Sequence, residues 1–597
     1  MQMLLIVGLF VALNSCGQNK GPKVPEPEAS STADASPDNT IYQSGGNSDT
    51  LPGSRPAKDP SSVGQIGSVP GDLPGVQQPT TKSNPPPTPT PPPTPSLTPT
   101  PTPDPVGDSV QKTITLNPED QQSVWEGWGT SLSGWANGIG GSNFEGFFAD
   151  LIFSSKDVKL NDSNFPGLDL NIARYNIGGG GSSGDVSAFA EVIDKAPSND
   201  NAYDGFEPYR DIDGFWKDNS SSDPDSSSFD WNRDPRQRSM LQLAKARGAD
   251  TFEFYSNAPM WWMTDEKSAS GGTLNGESKA NYMVYLVAVT KYARNHWGIP
   301  VGSLEAFNEP SSGKWKFPVF QQGCNIAVDD QAQLLGLLKT QMSTQSLMND
   351  VVISSADEKS PSDALANHET MKKKSIDMSE GSMKVSDIYG KINVHTADNG
   401  NPFRNNGDRD KLRASAGSKK IWVSDYNDND PSGQSLAQSI VDDVNHLKPT
   451  AWIYSQVVEP YGSKGLVTAN YHMMPTDVNR GKPTAIAIKY YVMAQFSRFI
   501  HRGQTILGSS DDRTIVAYNE TTKKLTIVSV NIGNEQTVEV DLSKLKRWST
   551  TIMHVGTKFD GSKLYKTKQY RSFATKVRFT AEADSVSSLE ISDAVFR

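Results

Sequence analysis

Eight short runs rich in β-branched and aromatic residues recur along the chain, and helical patterns separate most of them. Helical stretches such as RQRSMLQLAKARG end in glycine, as helices often do just beyond their last turn. Strand–helix alternation repeated eight times predicts an α/β chain built on a (β/α)8 TIM barrel with long insertions. The predicted strands lie in residues 125–132, 168–178, 250–258, 303–310, 350–358, 390–397, 419–426 and 451–460.

The pattern becomes all-β after the last barrel helix. Short runs such as RTIVAYNE and KLTIVSVNIG follow one another with polar turns between them, a spacing typical of a β-sandwich. The isolated run QKTITL stands before the barrel and is a candidate strand of the same sandwich. We therefore predict a sandwich-joining strand at 109–122, a barrel at 123–500 and a C-terminal sandwich domain at 501–597.

The first residues contain one apolar run that ends at Cys16. A run of about ten apolar residues is too short to span a membrane and suits the core of a signal peptide. The segment LNSC resembles a bacterial lipoprotein processing site, although no Lys or Arg precedes the run. An ordinary secretory signal is the alternative. We expect residues 1–16 to be a lipoprotein signal that ends at a lipidated Cys16, which would anchor the protein in a membrane at the cell surface, in the bacterial outer membrane or periplasm.

Residues 17–108 show almost no apolar periodicity and close with a Pro/Thr repeat. Such a repeat favours extended polyproline geometry and acts as a semi-rigid spacer. It has too little apolar surface to offset the entropy lost on ordering. We predict a disordered Pro/Thr/Ser-rich linker between the anchor and the barrel.

Net charge and the number and spacing of His and Cys residues limit the classes of ligand and cofactor that we expect. A net charge of −11 argues against a nucleic-acid ligand, whereas a neutral polysaccharide meets no electrostatic penalty. The seven histidines show no HExxH spacing and the chain has no CxxC, so we expect neither a metal site nor a cofactor. Besides Cys16 the only cysteine is Cys324, which leaves no disulfide after processing and suggests a packing role for Cys324. We expect a monomer.

Two acidic residues stand where predicted strands end. Glu309 closes the fourth run, after Asn308, and Asp425 closes the seventh. In a barrel of this kind the catalytic groups gather at the strand ends. Two opposed carboxyl groups can protonate a glycosidic oxygen on one side and meet the developing oxocarbenium ion on the other. The pattern therefore points to hydrolysis of a glycosidic bond.

Four motifs in order, GWGTSLSGWA, LNIARYNIGGG, SNAPMWWM and FNEP, resemble glycoside hydrolase family 30, above all its endo-β-1,6-galactanase-like members. The resemblance covers roughly residues 110–597 and implies that Glu309 is the general acid/base, whose role requires a pKa raised by burial and neighbours. It also places Asp425 at the nucleophile position, where the family usually carries Glu in Ser-Glu-Tyr-Gly-Asp-Gly-Asp and this chain has SDYNDND.

The same resemblance assigns substrate-binding roles to further residues. Asn308 matches the residue that hydrogen-bonds the sugar 2-hydroxyl, and Arg174 matches the arginine that keeps the second carboxylate ionised and oriented. Trp261 and Trp262 offer flat faces for stacking on sugar C–H groups. The other predicted wall residues are Asn257, His395, Tyr426 and Trp452.

The aspartate cluster DYNDND also matches the opening of an EF-hand loop, but Asp430 stands where glycine is needed and Leu436 where the bidentate Glu is needed. Asp425 is one methylene shorter than Glu, so retention with a carboxyl separation of about 5–5.5 Å and inversion with about 6.5–9.5 Å both stay open. Ser455 occupies a position where galactanase-like relatives are expected to carry Trp. Two hypotheses result: an endo-acting hydrolase of β-linked galactan or a related polysaccharide, with retention expected from the family, and a non-catalytic glycan-binding protein on the same scaffold.

Overall fold

The computed structural model describes residues 109–181, 207–379, 381–471 and 476–597. Eight parallel strands close into a barrel in chain order, with the last strand paired to the first, so the predicted TIM barrel is confirmed. The predicted signal with Cys16, and the linker to residue 108, lie outside the described residues. The barrel strands are β1 Gly127–Ser131, β2 Ile172–Asn176, β3 Thr251–Tyr255, β4 Val301–Glu305, β5 Val352–Ser354, β6 Lys391–His395, β7 Lys420–Asp425 and β8 Ala451–Tyr454.

Helices lie between the barrel strands, and two of them show sequence signals at their ends. α6 has Pro361 in its first turn, and the Ser360 side chain accepts a hydrogen bond from the backbone of Asp363. Helix α3 (Pro235–Arg247) is followed by Gly248, whose φ of 126° is readily adopted only by glycine. In the described ranges no helix is both long enough and apolar enough to cross a membrane. The helices are α1 Ser133–Ile139, α2 Glu145–Phe153, α3 Pro235–Arg247, α4 Lys279–His296, α5 Val328–Thr344, α6 Pro361–Lys373, α7 Asn406–Ala416, α8 Gln434–Asp442 and α9 Ile488–Ser497.

The barrel interior changes from apolar to charged along the strands. At its N-terminal end Ile172, Trp422 and Ile453 form a small buried cluster. A Cβ on Gly129 would lie 2.6 Å from Ile172, so only glycine leaves room for this cluster on β1. Two residues further along β2 comes Arg174, which is buried. Since side chains of alternate strand residues share a face, the charged layer follows directly on the apolar one.

A nine-stranded sheet follows the barrel and has its own apolar core, as the all-β prediction requires. Its N-terminal strand, Lys112–Val124, pairs antiparallel with Thr505–Ser509 and parallel with Gln536–Asp541. The run before the barrel is therefore a central strand of this sheet. The other six strands are Thr514–Asn519, Lys524–Asn531, Thr551–Lys558, Lys566–Arg571, Lys576–Ala581 and Ser585–Ile591.

Candidate active site

A cavity of about 470 Å³ opens at the C-terminal end of the barrel strands. Glu309 and Asp425 both line it. The two predicted carboxyl groups therefore share one cavity although they are far apart in the sequence. Asn257, Asn308 and His395 line the same cavity. In such barrels the loops at this end carry the active site, which makes the cavity the candidate active site.

Glu309 is held in place by backbone contacts in the loop that follows β4. Its backbone has φ 46°, and its N–H donates to the Asp357 carbonyl oxygen at 2.8 Å. Its own carbonyl oxygen accepts from the Trp315 indole at 2.9 Å. The side-chain Oε1 lies 3.2 Å from His395 Nδ1, and Oε2 lies 2.5 Å from the Lys314 ammonium. Both oxygens of this carboxyl therefore face a cationic partner.

The electrostatics of Glu309 differ from the prediction. Burial raises the pKa of this carboxyl, but the hydrogen bond and charge of His395 together with Lys314 lower it below its usual range. The expectation that neighbours raise this pKa is therefore wrong for the free protein, because two of those neighbours are cations. Burial by itself would lower the pKa of His395, yet the charge of Asp425 and contacts with Asp357 and Glu309 raise it to about 10. At neutral pH His395 is an imidazolium.

Asp425 points into the cavity because the sheet is irregular at this point. Val394 on β6 pairs with Val423 on β7, but the next residue, His395, pairs with Asp425. A bulge of this kind redirects a side chain at a strand end. Burial raises the pKa of Asp425, and the nearby Glu309 carboxylate adds to the rise, while His395 opposes it. The two carboxyl groups thus interact electrostatically.

Arg174 does not lie on the cavity surface. Its guanidinium donates to Glu253 at 2.8 Å and to Asp357 at 2.9 Å, and it also donates to the Ser424 carbonyl oxygen at 2.8 Å. Arg174 therefore lies outside the predicted substrate wall, but its charge lowers the pKa of Asp425, in the direction that the predicted role of keeping the second carboxylate ionised requires. Through the Ser424 carbonyl oxygen, Arg174 holds the C-terminal end of β7 from inside the barrel.

Glu253 is the centre of the buried charge layer. It pairs with Arg174 and, at 2.6 Å, with the Lys391 ammonium, and it accepts from the amide of Asn393. Burial would raise the pKa of Glu253, but Lys391 and Arg174 lower it to about 2. Paired buried charges of this kind keep rigid positions. Sequence reasoning missed this layer, although charged residues in apolar strands (FEFY and GKINVH) were a visible signal.

Four predicted wall residues do not line the cavity. The Trp262 indole donates to the Trp216 carbonyl oxygen at 2.9 Å and packs edge-on against the Trp216 ring, while Trp261 is partly buried against the main core. Tyr426 and Trp452 are fully buried, with ring centroids 5.0 Å apart. Both were predicted as wall residues from the resemblance to family 30. Strand alternation instead turns Trp452 towards the helix layer, where its indole donates to Asp443 at 2.9 Å.

The remaining aspartates of DYNDND have structural roles. Asp428 is buried, pairs with the Lys489 ammonium on α9 at 2.8 Å and accepts from the Tyr426 hydroxyl. Asp430 accepts backbone hydrogen bonds from Ser432 and Ser435 at the start of α8. Within the part of the chain that the structure describes, no group of three or more His, Cys, Asp or Glu residues could hold a metal ion. The EF-hand alternative has no support there.

The cavity also contains Tyr209 and Glu459, which the sequence did not single out, and Ser455, which it did. The Tyr209 hydroxyl donates to Glu459 Oε2 at 3.0 Å, and both residues line the cavity. Burial raises the pKa of Glu459 to about 7. Ser455 accepts a hydrogen bond from Asn427 at 3.2 Å and approaches Asp425, in the place where a tryptophan was expected. Polar groups on several sides of a cavity suit the hydroxyl groups of a sugar.

Comparison with known proteins agrees with this geometry. A family model described as O-glycosyl hydrolase family 30 matches residues 111–389. An endo-β-1,6-galactanase of Hypocrea rufa is 35% identical over 508 residues, which cover 81% of this chain and 95% of that protein. The chain belongs to glycoside hydrolase family 30. As a family 30 member it is an O-glycosyl hydrolase.

More distant similarities extend the picture. An exo-β-1,6-galactobiohydrolase of Bifidobacterium longum subsp. longum is 22% identical, over 72% of this family 30 chain and 35% of that protein. Among solved structures, a conserved exported protein from Bacteroides fragilis has a TM-score of 0.62 at 17% identity, covering 80% of this chain and all of that one. The catalytic domain of a family 30 xylanase from Talaromyces cellulolyticus has a TM-score of 0.57 at 17% identity, with 81% and 100% covered. At this identity the structural likeness shows the fold.

Proposed function

We propose that this family 30 hydrolase cleaves β-1,6-linked galactan internally, with Glu309 and Asp425 as its catalytic residues. The observation that carries the proposal is that both carboxyl groups line one cavity and interact through His395. The substrate class is proposed because the two sequence relatives are an endo-β-1,6-galactanase and an exo-β-1,6-galactobiohydrolase. Polar side chains that line the cavity together with Asp425, including Asn257 and Glu459, support a neutral, hydroxyl-rich ligand.

The proposed chemistry uses two steps. In the first, an Asp425 oxygen attacks the anomeric carbon, the bond to the leaving oxygen breaks, and Glu309 gives that oxygen a proton. In the second, Glu309 removes a proton from water, which attacks the same carbon and frees Asp425. Two inversions at one carbon give net retention, the outcome expected from the family.

The proton for the first step has a source beside Glu309. His395 is an imidazolium whose Nδ1 lies 3.2 Å from Glu309 Oε1, at the upper end of the distance range for direct proton transfer. When negative charge begins to develop on the leaving oxygen, the proton can pass from His395 to Glu309 and on to that oxygen. Asp357 at 3.5 Å from His395 Nε2 orients the ring.

The test is Glu309→Gln, which keeps the shape of the side chain and removes its acid. We expect the release of reducing ends from β-1,6-galactan to fall about 10²–10⁴-fold, the usual share of general acid–base catalysis. Glu277→Gln is the matched control because Glu277 is exposed on a turn outside the cavity. Early products of mixed length indicate internal cleavage. Equal trace release by wild type and Glu309→Gln on galactans of β-1,3, β-1,4 and β-1,6 linkage would contradict the proposal.

We further propose that the enzyme is anchored at the cell surface through a lipid on Cys16, with residues 17–108 as the spacer. The LNSC segment and the Pro/Thr repeat support this. Cells fed an alkyne-tagged fatty acid should label the wild-type protein and leave Cys16→Ser unlabelled. Equal labelling of both proteins, or of neither, contradicts the anchor.

A further inference from the structure

Lys314 is the most exposed of the groups that contact the Glu309 carboxyl. It lies in the loop after β4 and lines the cavity, with its ammonium 2.5 Å from Glu309 Oε2 and 4.6 Å from the centroid of the Trp315 ring. Its side chain is 33% exposed, compared with 8% for Glu309 and 3% for His395. A lysine has four rotatable methylenes and is readily rehydrated. Lys314 is thus the cation that can leave.

The two oxygens of Glu309 are not equivalent. Oε1 faces the buried His395 ring, whereas Oε2 faces Lys314 on the cavity side. A general acid must come within about 2.6–3.2 Å of the oxygen that it protonates. With Oε1 held by His395, the leaving-group oxygen has to approach Oε2, and that is where the ammonium lies. The ammonium and the leaving group compete for one position.

We propose that Lys314 is a positioning residue that keeps Glu309 ionised in the empty enzyme and must be displaced from Oε2 by the leaving-group side of the sugar chain. The inference rests on the proposed role of Glu309 as general acid. Its consequence is that substrate binding itself removes one of the two cations that disfavour protonated Glu309. Protonation of Glu309 therefore becomes more favourable only when a leaving group has displaced Lys314.

The other charged groups near Glu309 cannot act in this way. His395 on β6 is buried, Asp425 at the end of β7 is buried, and Asp357 beyond β5 is fully buried. Asp357 pairs with Arg174 of the charged layer at 2.9 Å, and His395 lies 3.5 Å from Asp357. Asp425 and Asp357 are acids, which would favour protonation of Glu309 rather than oppose it. Among the described residues the displaceable cation is therefore Lys314.

The pH profile tests the inference with a defined sign. Glu309 and His395 together hold the proton that the leaving oxygen receives, so kcat/KM falls as pH rises through the apparent pKa of this pair. Loss of the Lys314 charge raises that pKa, and the alkaline limb of the profile moves to higher pH. For Lys314→Met we expect a movement of about one pH unit, equivalent to about tenfold higher relative kcat/KM on that limb. KM should also fall, because no ammonium has to be displaced.

Two further variants separate this effect from general changes in charge. Lys314→Arg keeps a cation beside Oε2 and should keep the alkaline limb of the wild type. Lys316→Met removes an exposed charge two residues away and should leave the profile unchanged. An alkaline limb of Lys314→Met within about 0.2 pH unit of wild type would overturn the proposal.

A readout without turnover keeps this test distinct from that of the proposed function. In protein carrying ¹³C-labelled glutamate, the Glu309 carboxyl signal is assigned by its absence from Glu309→Gln, and its titration is followed directly. We expect the titration of Glu309 to move to higher pH in Lys314→Met and to remain in place in Lys316→Met. An unchanged titration refutes the role of Lys314, even if galactan is cleaved. A moved titration supports it, even if galactan proves to be the wrong substrate.

Discussion

Replacing Arg174 by methionine should expose how much of the barrel's stability rests on its buried charges. The guanidinium is about 1% exposed and pairs with Glu253 at 2.8 Å and with Asp357 at 2.9 Å, and both carboxyl groups are fully buried. Methionine fills much of the volume but leaves these carboxylates with one cation fewer. Removing one partner of a buried ion pair costs about 3–5 kcal/mol, because the remaining charge stays desolvated.

We expect the free energy of unfolding to fall by about that amount. For a large domain, each kcal/mol corresponds to roughly 2 °C in melting temperature, so the variant should melt about 6–10 °C below wild type. The cost is not twice the single-pair value, since one guanidinium serves both carboxylates and Glu253 keeps its contact with Lys391.

The pH dependence of this loss has a definite sign. Lys391 and Arg174 lower the pKa of Glu253 to about 2 against the effect of burial, and Arg174 also lowers the pKa of Asp357. A lowered pKa in the folded state contributes stability above the ordinary value, 4.5 for Glu253, which is lost as pH falls towards the folded value. The difference between wild type and Arg174→Met should therefore be largest near neutral pH and shrink in acid, where the unpaired carboxylates take up protons.

The assay is thermal unfolding followed by tryptophan fluorescence at several pH values. Arg233→Met is the matched control, because Arg233 is 47% exposed and its ion pairs are 3.3 and 3.5 Å long. Exposed pairs contribute about 0–1 kcal/mol. A melting temperature for Arg174→Met within about 2 °C of wild type at neutral pH would refute the idea that this layer is held by its charges.

Two further predictions concern Asp425 and the C-terminal sheet. Asp425→Asn should lower kcat by at least about 10³-fold, because the amide cannot attack the anomeric carbon. Proton NMR of the product released by the wild-type enzyme should show the β anomer first. Release of the α anomer first would contradict retention. His554 is buried in the sheet beside Tyr570 and Phe579, and burial lowers its pKa from 6.5 to about 4. The unfolded chain therefore takes up a proton that the folded one does not, and wild type should lose roughly 3 kcal/mol as pH falls from 6.5 to 4. Over the same pH range the unfolding free energy of His554→Leu should fall by about 3 kcal/mol less than that of wild type. Equal losses of unfolding free energy in both proteins would contradict this account.

The fold was readable from the sequence because its signals are local. Strand-like composition recurs eight times with helical patterns between most of the runs, and each observed barrel strand lies within or overlaps a predicted run. The same logic located Glu309 and Asp425, because a residue at the end of a parallel strand must lie at one mouth of the barrel. Asn257, Asn308 and His395 followed from the same rule.

Local signals failed wherever the direction of a side chain decided the outcome. Tyr426 directly follows β7 and Trp452 lies near the start of β8, and the packing of both side chains buries them away from the cavity. Asp425 faces the cavity only because the β6–β7 ladder shifts its register, which no residue pattern announces.

The sequence alone thus determined a barrel with two carboxyl groups at its mouth, since periodicity and strand order follow from residue types along the chain. Only the tertiary structure decided their protonation, because the pKa of a buried carboxyl depends on which charges lie within a few ångströms. Lys314, five positions from Glu309 in the chain, and His395, from a different strand, act on the same carboxyl. Their combined field, and not the identity of Glu309, keeps the acid ionised in the free enzyme.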